Sequence, residues 1–293
     1  MDVGRDMKPN RVGRGHGFML FLVCVGFLLV VGCSDADNSF PFKQNETAVI
    51  SGEMAAALGT YQQGIQGRLT TLQADATLCS NAIAAAGVNN SALSDILGEC
   101  LTNEPWYYTA AFIDADGVVQ AVMPEAEQEI LGVDLSYQES VAAMNKDPSF
   151  MMIPVFTLEQ GGSAAAAYAP VTLEEGEYLG FVSITFVPAS LIRSVAEDVS
   201  ASSGFDTMAA QTDSLVLYDA DATEIDQMTF GNPLYEDFPD LLAFAEAYNQ
   251  SSSGVFRYSF YSSGFSEVIT KEAMWDTVTS GGMDWRLMII RPV

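Results

Sequence analysis

The sequence predicts an α+β protein: one long N-terminal helix followed by two tandem antiparallel-sheet domains. Three observations carry this. Apolar residues at Ile50, Met54, Ala57, Leu58, Tyr61, Ile65, Leu69, Leu72, Ala76, Cys79 and Ile83 recur at steps of three and four, the period of an amphipathic helix. Phe112-Ile113-Asp114-Ala115-Asp116-Gly117 is answered about 105 residues later by Leu217-Tyr218-Asp219-Ala220-Asp221, each read as a strand, an Asp-x-Asp turn and the start of a second strand. Gly180 to Pro188 is answered by Asp284 to Pro292 at an offset of about 104 residues. Two landmarks sharing one offset indicate two copies of one domain.

The chain opens with Arg5, Lys8, Arg11 and Arg14, and then an apolar run from Phe18 to Val31. The run is shorter than the roughly 20 residues a spanning helix needs and has the layout of a secretory signal. It closes on Val30-Val31-Gly32-Cys33-Ser34, which resembles the lipobox of prokaryotic lipoproteins. The resemblance implies a signal peptide over 1–32, cleavage before Cys33, lipid on the Cys33 sulfur, and a chain held at the outer face of the cell membrane. The alternative is an uncleaved membrane anchor with an incidental cysteine. Both place the remainder outside the cytoplasm.

From Cys33 onward, eight basic residues face 36 acidic ones. Such a surface repels phosphate backbones, which excludes nucleic-acid binding, and a solvated acidic shell accounts for it. Cys79 and Cys100 are the cysteines left outside the leader and the lipobox. In an exported chain they are expected to pair as a disulfide, the alternative being two free buried thiols.

Taken in order, residues 33–45 form a tether, and 46–103 hold the long helix of about thirty-five residues and a short second helix ending at Cys100. A helix of that length needs a long support, and two sheet domains supply one. It also offers a surface on which two subunits could pair as a homodimer. The first sheet domain covers 104–190. It holds the Asp114 hairpin, a helical patch from Glu125 to Ile130, and a helix from Tyr137 to about Asn145 with Ser136 as N-cap and Glu139 three residues on. Strands follow at Met151–Leu158, Ala164–Val171 and Tyr178–Val187. In the last of these Val182, Ile184 and Phe186 alternate with Ser183 and Thr185, as expected of a strand with one covered face. A connecting helix spans 191–203, led in by Pro188. The second domain covers 204–293, with strands near Met208, Leu215–Asp219, Ile225–Met228, Val255–Tyr261, Ala273–Thr279 and Trp285–Ile290, and a helix from Phe238 to Tyr248.

A long helix feeding two such domains resembles the double Cache family, the PAS-like extracytoplasmic sensor modules of chemoreceptors and histidine kinases. The residues that carry the resemblance are Phe112 to Gly117, Gly132-Val133-Asp134-Leu135-Ser136, Tyr168-Ala169-Pro170-Val171 and Gly176 to Val182; it extends from about residue 50 to the end. It implies a small-molecule pocket in the first, membrane-distal domain, lined by Tyr137, Gln138, Phe156 and Tyr168. For Phe156 and Tyr168, filling the core is an equal alternative. Amino-acid-binding members carry an Arg-x-Trp-aromatic signature after the Asp-Leu-Ser loop. Here the stretch is Tyr137-Gln138-Glu139-Ser140-Val141, without that cation, so a neutral or polar ligand held by hydrogen bonds is expected.

Catalytic constellations are missing. His16, in the leader, is the one histidine of the sequence, so the mature chain hosts no Ser-His-Asp triad and no histidine-ligated zinc. No lysine sits in a Walker loop, and Gly264-Phe265-Ser266-Glu267-Val268 lacks the closing glycine of a nucleophile elbow. Asp114-Ala115-Asp116-Gly117 places its glycine too early for a calcium loop, so both Asp-x-Asp elements are read as turns, and no metal or cofactor is expected. The expected function is therefore a lipid-anchored, non-catalytic ligand-binding or sensing protein. With Val293 directly after the last strand, its signal would pass to a separate membrane receptor or kinase. The rival from another class is a structural or adhesive surface lipoprotein without a ligand. An enzyme is third.

Overall fold

A computed structural model describes residues 52–88, 92–158 and 162–293; the leader, Cys33, the tether and Ile50 lie outside the described residues. The described residues form one compact unit. No helix among the described residues is long and apolar enough to cross a membrane.

Helix α1 runs from Gly52 to Ala86, and its buried face is Met54, Ala57, Leu58, Tyr61, Ile65, Leu69, Leu72, Ala76, Cys79 and Ile83 with Ser80. The stripe read from the sequence is thus the packed one. Helix α2, Leu93–Leu101, folds back on it. Cys79 and Cys100 are bridged, with Cα atoms 6.1 Å apart, within the range a disulfide spans without backbone movement.

The first sheet is built from β1 (Tyr107–Asp114), β2 (Val119–Met123), β3 (Met151–Thr157), β4 (Ser163–Thr172) and β5 (Tyr178–Phe186). After helix α4, Pro188–Ser203, the second is built from β6 (Asp206–Gln211), β7 (Val216–Asp219), β8 (Gly254–Tyr261), β9 (Val268–Ser280) and β10 (Met283–Pro292). The spatial orders are β2-β1-β5-β4-β3 and β7-β6-β10-β9-β8. All strand pairs are antiparallel. The two sheets therefore share one topology, and the duplication inferred from the sequence is real.

Its register needs correction. Asp114 closes β1 and turns into β2, whereas Asp219 closes β7, the second strand of its sheet. The counterpart of the Asp114 turn is the β6–β7 turn, where Gln211 and Leu215 pair and the Asp213 carboxylate accepts from Leu215 N–H. Asp-x-Asp turns are local structures, since each aspartate accepts the N–H two residues on, as Asp114 and Asp219 both do. They recur without homology. Ile225–Met228 is not a strand either; it runs beside β7 through the Leu215–Met228 bridge and backbone hydrogen bonds from Val216 N–H to Gln227 O and from Asp226 N–H to Val216 O.

One face of both sheets packs on α1 and α4 in a single core that includes Phe112, Ile184 and Phe186 from the first sheet and Trp285, Leu287 and Ile289 from the second. Strand β4 is alanine-rich, with Ala164, Ala165, Ala166, Ala167 and Ala169 all buried. Alanine favours strands poorly, but small side chains let α1 lie close. The opposite faces are covered too. Helix α3, Glu139–Lys146, places Val141 and Met144 over Ala166, Tyr168 and Phe181. Helix α5, Pro239–Gln250, places Phe244 and Tyr248 over Tyr258 and Trp275. Hence Ser183, expected on an open face, is 9% exposed. The α3 N-cap is Gln138, not Ser136, and no side chain caps it; the Ser136 N–H is already taken by the Asp134 carboxylate at 2.8 Å.

Candidate functional site

The four ligand-binding residues expected in the first domain are dispersed. Tyr137 is 78% exposed and Phe156, on edge strand β3, is 40% exposed. Gln138 is half-buried at the start of α3. Tyr168 is buried on β4, its ring 4.5 Å from that of Phe181. Tyr168 and α3 belong to one apolar cluster; Tyr137 and Phe156 do not join it.

A partly open cavity of about 50 Å³ lies instead in the second domain, lined by none of these four. It sits on the α5 face of the sheet, beneath the segment between β7 and α5. Its walls combine rings, Tyr235, Tyr258, Phe260 and Phe265, with the carboxylates of Asp219 and Glu224. Each acid arrives from a different structural cause. Asp219 ends β7 at the point where the chain leaves the sheet, and its Oδ1 accepts from the Asp221 N–H at 2.8 Å. Glu224 lies on the following loop and is 8% exposed. Its Oε2 accepts from the Tyr235 hydroxyl, and its Oε1 has no partner. Asp221 is a latch. One of its oxygens accepts from the Thr223 N–H and hydroxyl, and the other accepts from Gly264 N–H at 3.0 Å, tying the β8–β9 turn over the mouth.

Lys271, on β9, is the one basic residue among the lining side chains. Its ammonium sits 5.7 Å above the centroid of Phe260. Asp206 on β6 adds a fourth acid to the wall. Among the described residues, no group of three or more His, Cys, Asp or Glu is placed to hold a metal ion.

Burial pushes the Asp219 carboxyl up to about 7; Glu224 and Asp206 push the same way, while the Asp221 N–H and Lys271 oppose. Burial also raises Glu224, against the Tyr235 hydrogen bond. Gly264 N–H, then Thr223, hold Asp221 below the usual carboxylate range. Burial first, and then the Asp219 charge, raises Tyr258 on β8; burial, then Tyr218 and Asp219, raise Tyr61 on α1. A consequence for stability follows. The unfolded chain releases the Asp219 proton near 3.8 and the folded chain near 7, so between these values the folded state holds more protons and loses stability as pH rises. Asp219→Asn removes this penalty while keeping an acceptor for Asp221 N–H. Its melting temperature is expected to exceed that of the unsubstituted protein at pH 8 and to approach it at pH 5; an equal difference at both values contradicts the assignment.

The sequence reading missed this site because its groups lie at 206, 219, 224, 235, 258 and 271, and only the strand order brings them together. The one local signal was the acidic run Asp219-Ala220-Asp221-Ala222-Thr223-Glu224, read as an Asp-x-Asp turn and the start of a strand.

Residues 67–188 match the family model of the HK/GC/Chemotaxis protein-like sensor domain. No protein of curated function matches the sequence. Solved structures share the fold at low identity. The extracellular ligand binding receptor from Desulfohalobium retbaense superposes with a TM-score of 0.65 at 18% identity, over 82% of this chain and 40% of that one. This chain thus spans well under half of that receptor. The periplasmic sensory domain of the Campylobacter jejuni chemoreceptor Tlp1 gives 0.54 at 13% identity, over 82% and 93%. The sensory domain of the Campylobacter jejuni chemoreceptor Tlp3, with isoleucine bound, gives 0.57 at 10% identity, over 82% and 91%. Long helix and paired five-stranded antiparallel sheets give this chain the α+β, double Cache-type fold of these sensory domains, and its residues 67–188 are similar to the sensor domain of the matched family model.

Proposed function

We propose that this protein is a lipid-anchored extracytoplasmic sensor that binds a small molecule without catalysing a reaction. Cys33 would carry the lipid, and the signal would pass to a separate membrane receptor or kinase. The observation that supports binding most directly is the cavity of the second domain, with rings and carboxylates on its walls. A scaffold without a ligand would gain nothing by keeping Glu224 buried with one oxygen unpartnered, an arrangement that costs about 1–3 kcal/mol or more. The site in this reading is the second-domain cavity. The first-domain set of Tyr137, Gln138, Phe156 and Tyr168 is the rival location, and Gln138→Ala separates the two.

A thermal-shift screen against amino acids, carboxylates, amines, purines and sugars tests this. One class is expected to raise the melting temperature in a concentration-dependent way, as any ligand of the native state must. The shift should survive Gln138→Ala and shrink in Asp219→Asn. Silence from all five classes with well-folded protein favours the scaffold reading.

A further inference from the structure

We infer that the second-domain cavity takes a small organic cation, an alkylammonium whose charge meets Glu224 and Asp219 and whose alkyl groups lie against Tyr235 and Tyr258. This rests on the reading of the cavity as the sensor's ligand site. Three features converge on it. The first is acidity: four acids, Asp206, Asp219, Asp221 and Glu224, face the cavity against the single ammonium of Lys271. A cation among them favours the ionised form of the two buried acids, whereas an anion opposes it. The second is an unanswered acceptor. Glu224 is 8% exposed, lines the cavity, and its Oε1 accepts no hydrogen bond. Buried carboxylate oxygens without a donor are strongly disfavoured, and an N–H donor or a cation inside the cavity supplies what is missing. The third is the wall. Aromatic faces attract cations within about 6 Å of the ring centroid, and the site already uses this internally, since Lys271 sits over Phe260 at 5.7 Å. Tyr235 and Tyr258 carry no such cation.

Size limits the guest. A water needs roughly 10–15 Å³ of such space, so a cavity of about 50 Å³ accommodates a few non-hydrogen atoms. The carboxylates are not arranged as a metal site, which leaves an organic rather than a metallic cation. A zwitterionic guest would bring its own carboxylate into a wall of four acids; the ammonium end alone matches the lining.

The test is isothermal titration of the purified full-length chain with methylammonium, trimethylammonium and tetramethylammonium chloride, and with tert-butanol as a neutral match in shape. At least one ammonium is expected to give a saturable heat that tert-butanol does not. Glu224→Gln keeps an acceptor for Tyr235 and should weaken that binding tenfold or more. Asp219→Asn, whose fold is expected to be at least as stable near neutral pH, should weaken it as well. Equal binding of cation and alcohol overturns the inference, and so does undiminished binding by both variants. If the ammoniums fail while a carboxylate or sugar binds and shifts the melting temperature, the sensor reading stands and this inference falls. If no class binds, both fall together.

Discussion

Glu272→Ala is expected to lower the stability of the protein by about 3 kcal/mol. Glu272 lies on β9, is 1% exposed, and is clamped between strands β8 and β10: Arg257 Nε donates to one carboxylate oxygen at 3.0 Å and Arg291 Nε to the other at 2.8 Å. Removing one partner of a buried ion pair costs about 3–5 kcal/mol because charge is left without compensation. The arginine side chains are 27% and 29% exposed, so water relieves part of that, and the lower end applies. At roughly 2–4 °C per kcal/mol for a chain of this size, the melting temperature should fall by about 10 °C. The contrast is Arg193–Glu197, where both side chains are about half exposed at 49% and 60%. Glu197→Ala should cost about 0.5 kcal/mol or less. Equal losses from the two substitutions would show that the triad adds nothing beyond a surface pair.

Gly180→Val should be more damaging still, at about 4 kcal/mol. Gly180 sits in β5 opposite Asp114 and Val171 with φ at +134°, a backbone conformation that side chains strain by about 1–3 kcal/mol. A Cβ here would also collide with the carbonyl oxygen of Ile113 and come within 2.7 Å of Asp114 Cα. These are backbone atoms of a central strand and cannot swing aside, so overpacking adds about 1–3 kcal/mol. Gly176 separates the two effects. It also has positive φ, +90°, but a Cβ there meets nothing within 4 Å. Gly176→Val should cost only the conformational part. Denaturant titration measures both; similar midpoints would refute the steric account of the β1–β5 approach.

Long-range regularities in this protein were legible in the sequence, and the second-domain cavity was not. Helix α1 was readable because its packed face repeats every three or four residues from Met54 to Ile83, and the packing obeys the same period. The duplication was readable from strands β5 and β10, whose ends at Phe186 and Pro292 close equivalent central strands. The hairpin landmark was misplaced because Asp114 and Asp219 make the same local turn for chemical reasons, while the true counterpart turn at Gln211–Leu215 uses different residues. Strand β5 looked half-exposed because Ser183 and Thr185 are polar. Covering elements such as α3 cannot be inferred from the strand itself. For the same reason Tyr168 read equally as pocket or core, and it packs against Phe181. Asp219 looked like a turn residue and Glu224 like part of the strand after it; their burial depends on β6, β8 and β9 closing around them.

A ligand of the proposed sensor enters the second domain, around Asp219, Glu224, Tyr235 and Lys271. Hydrogen–deuterium exchange on the full chain is measured with and without whichever compound raises the melting temperature. Slowed exchange is expected to concentrate at residues 219–235 and 258–271. Protection confined instead to residues 130–170, around Gln138 and Tyr168, would contradict it and return the site to the first domain.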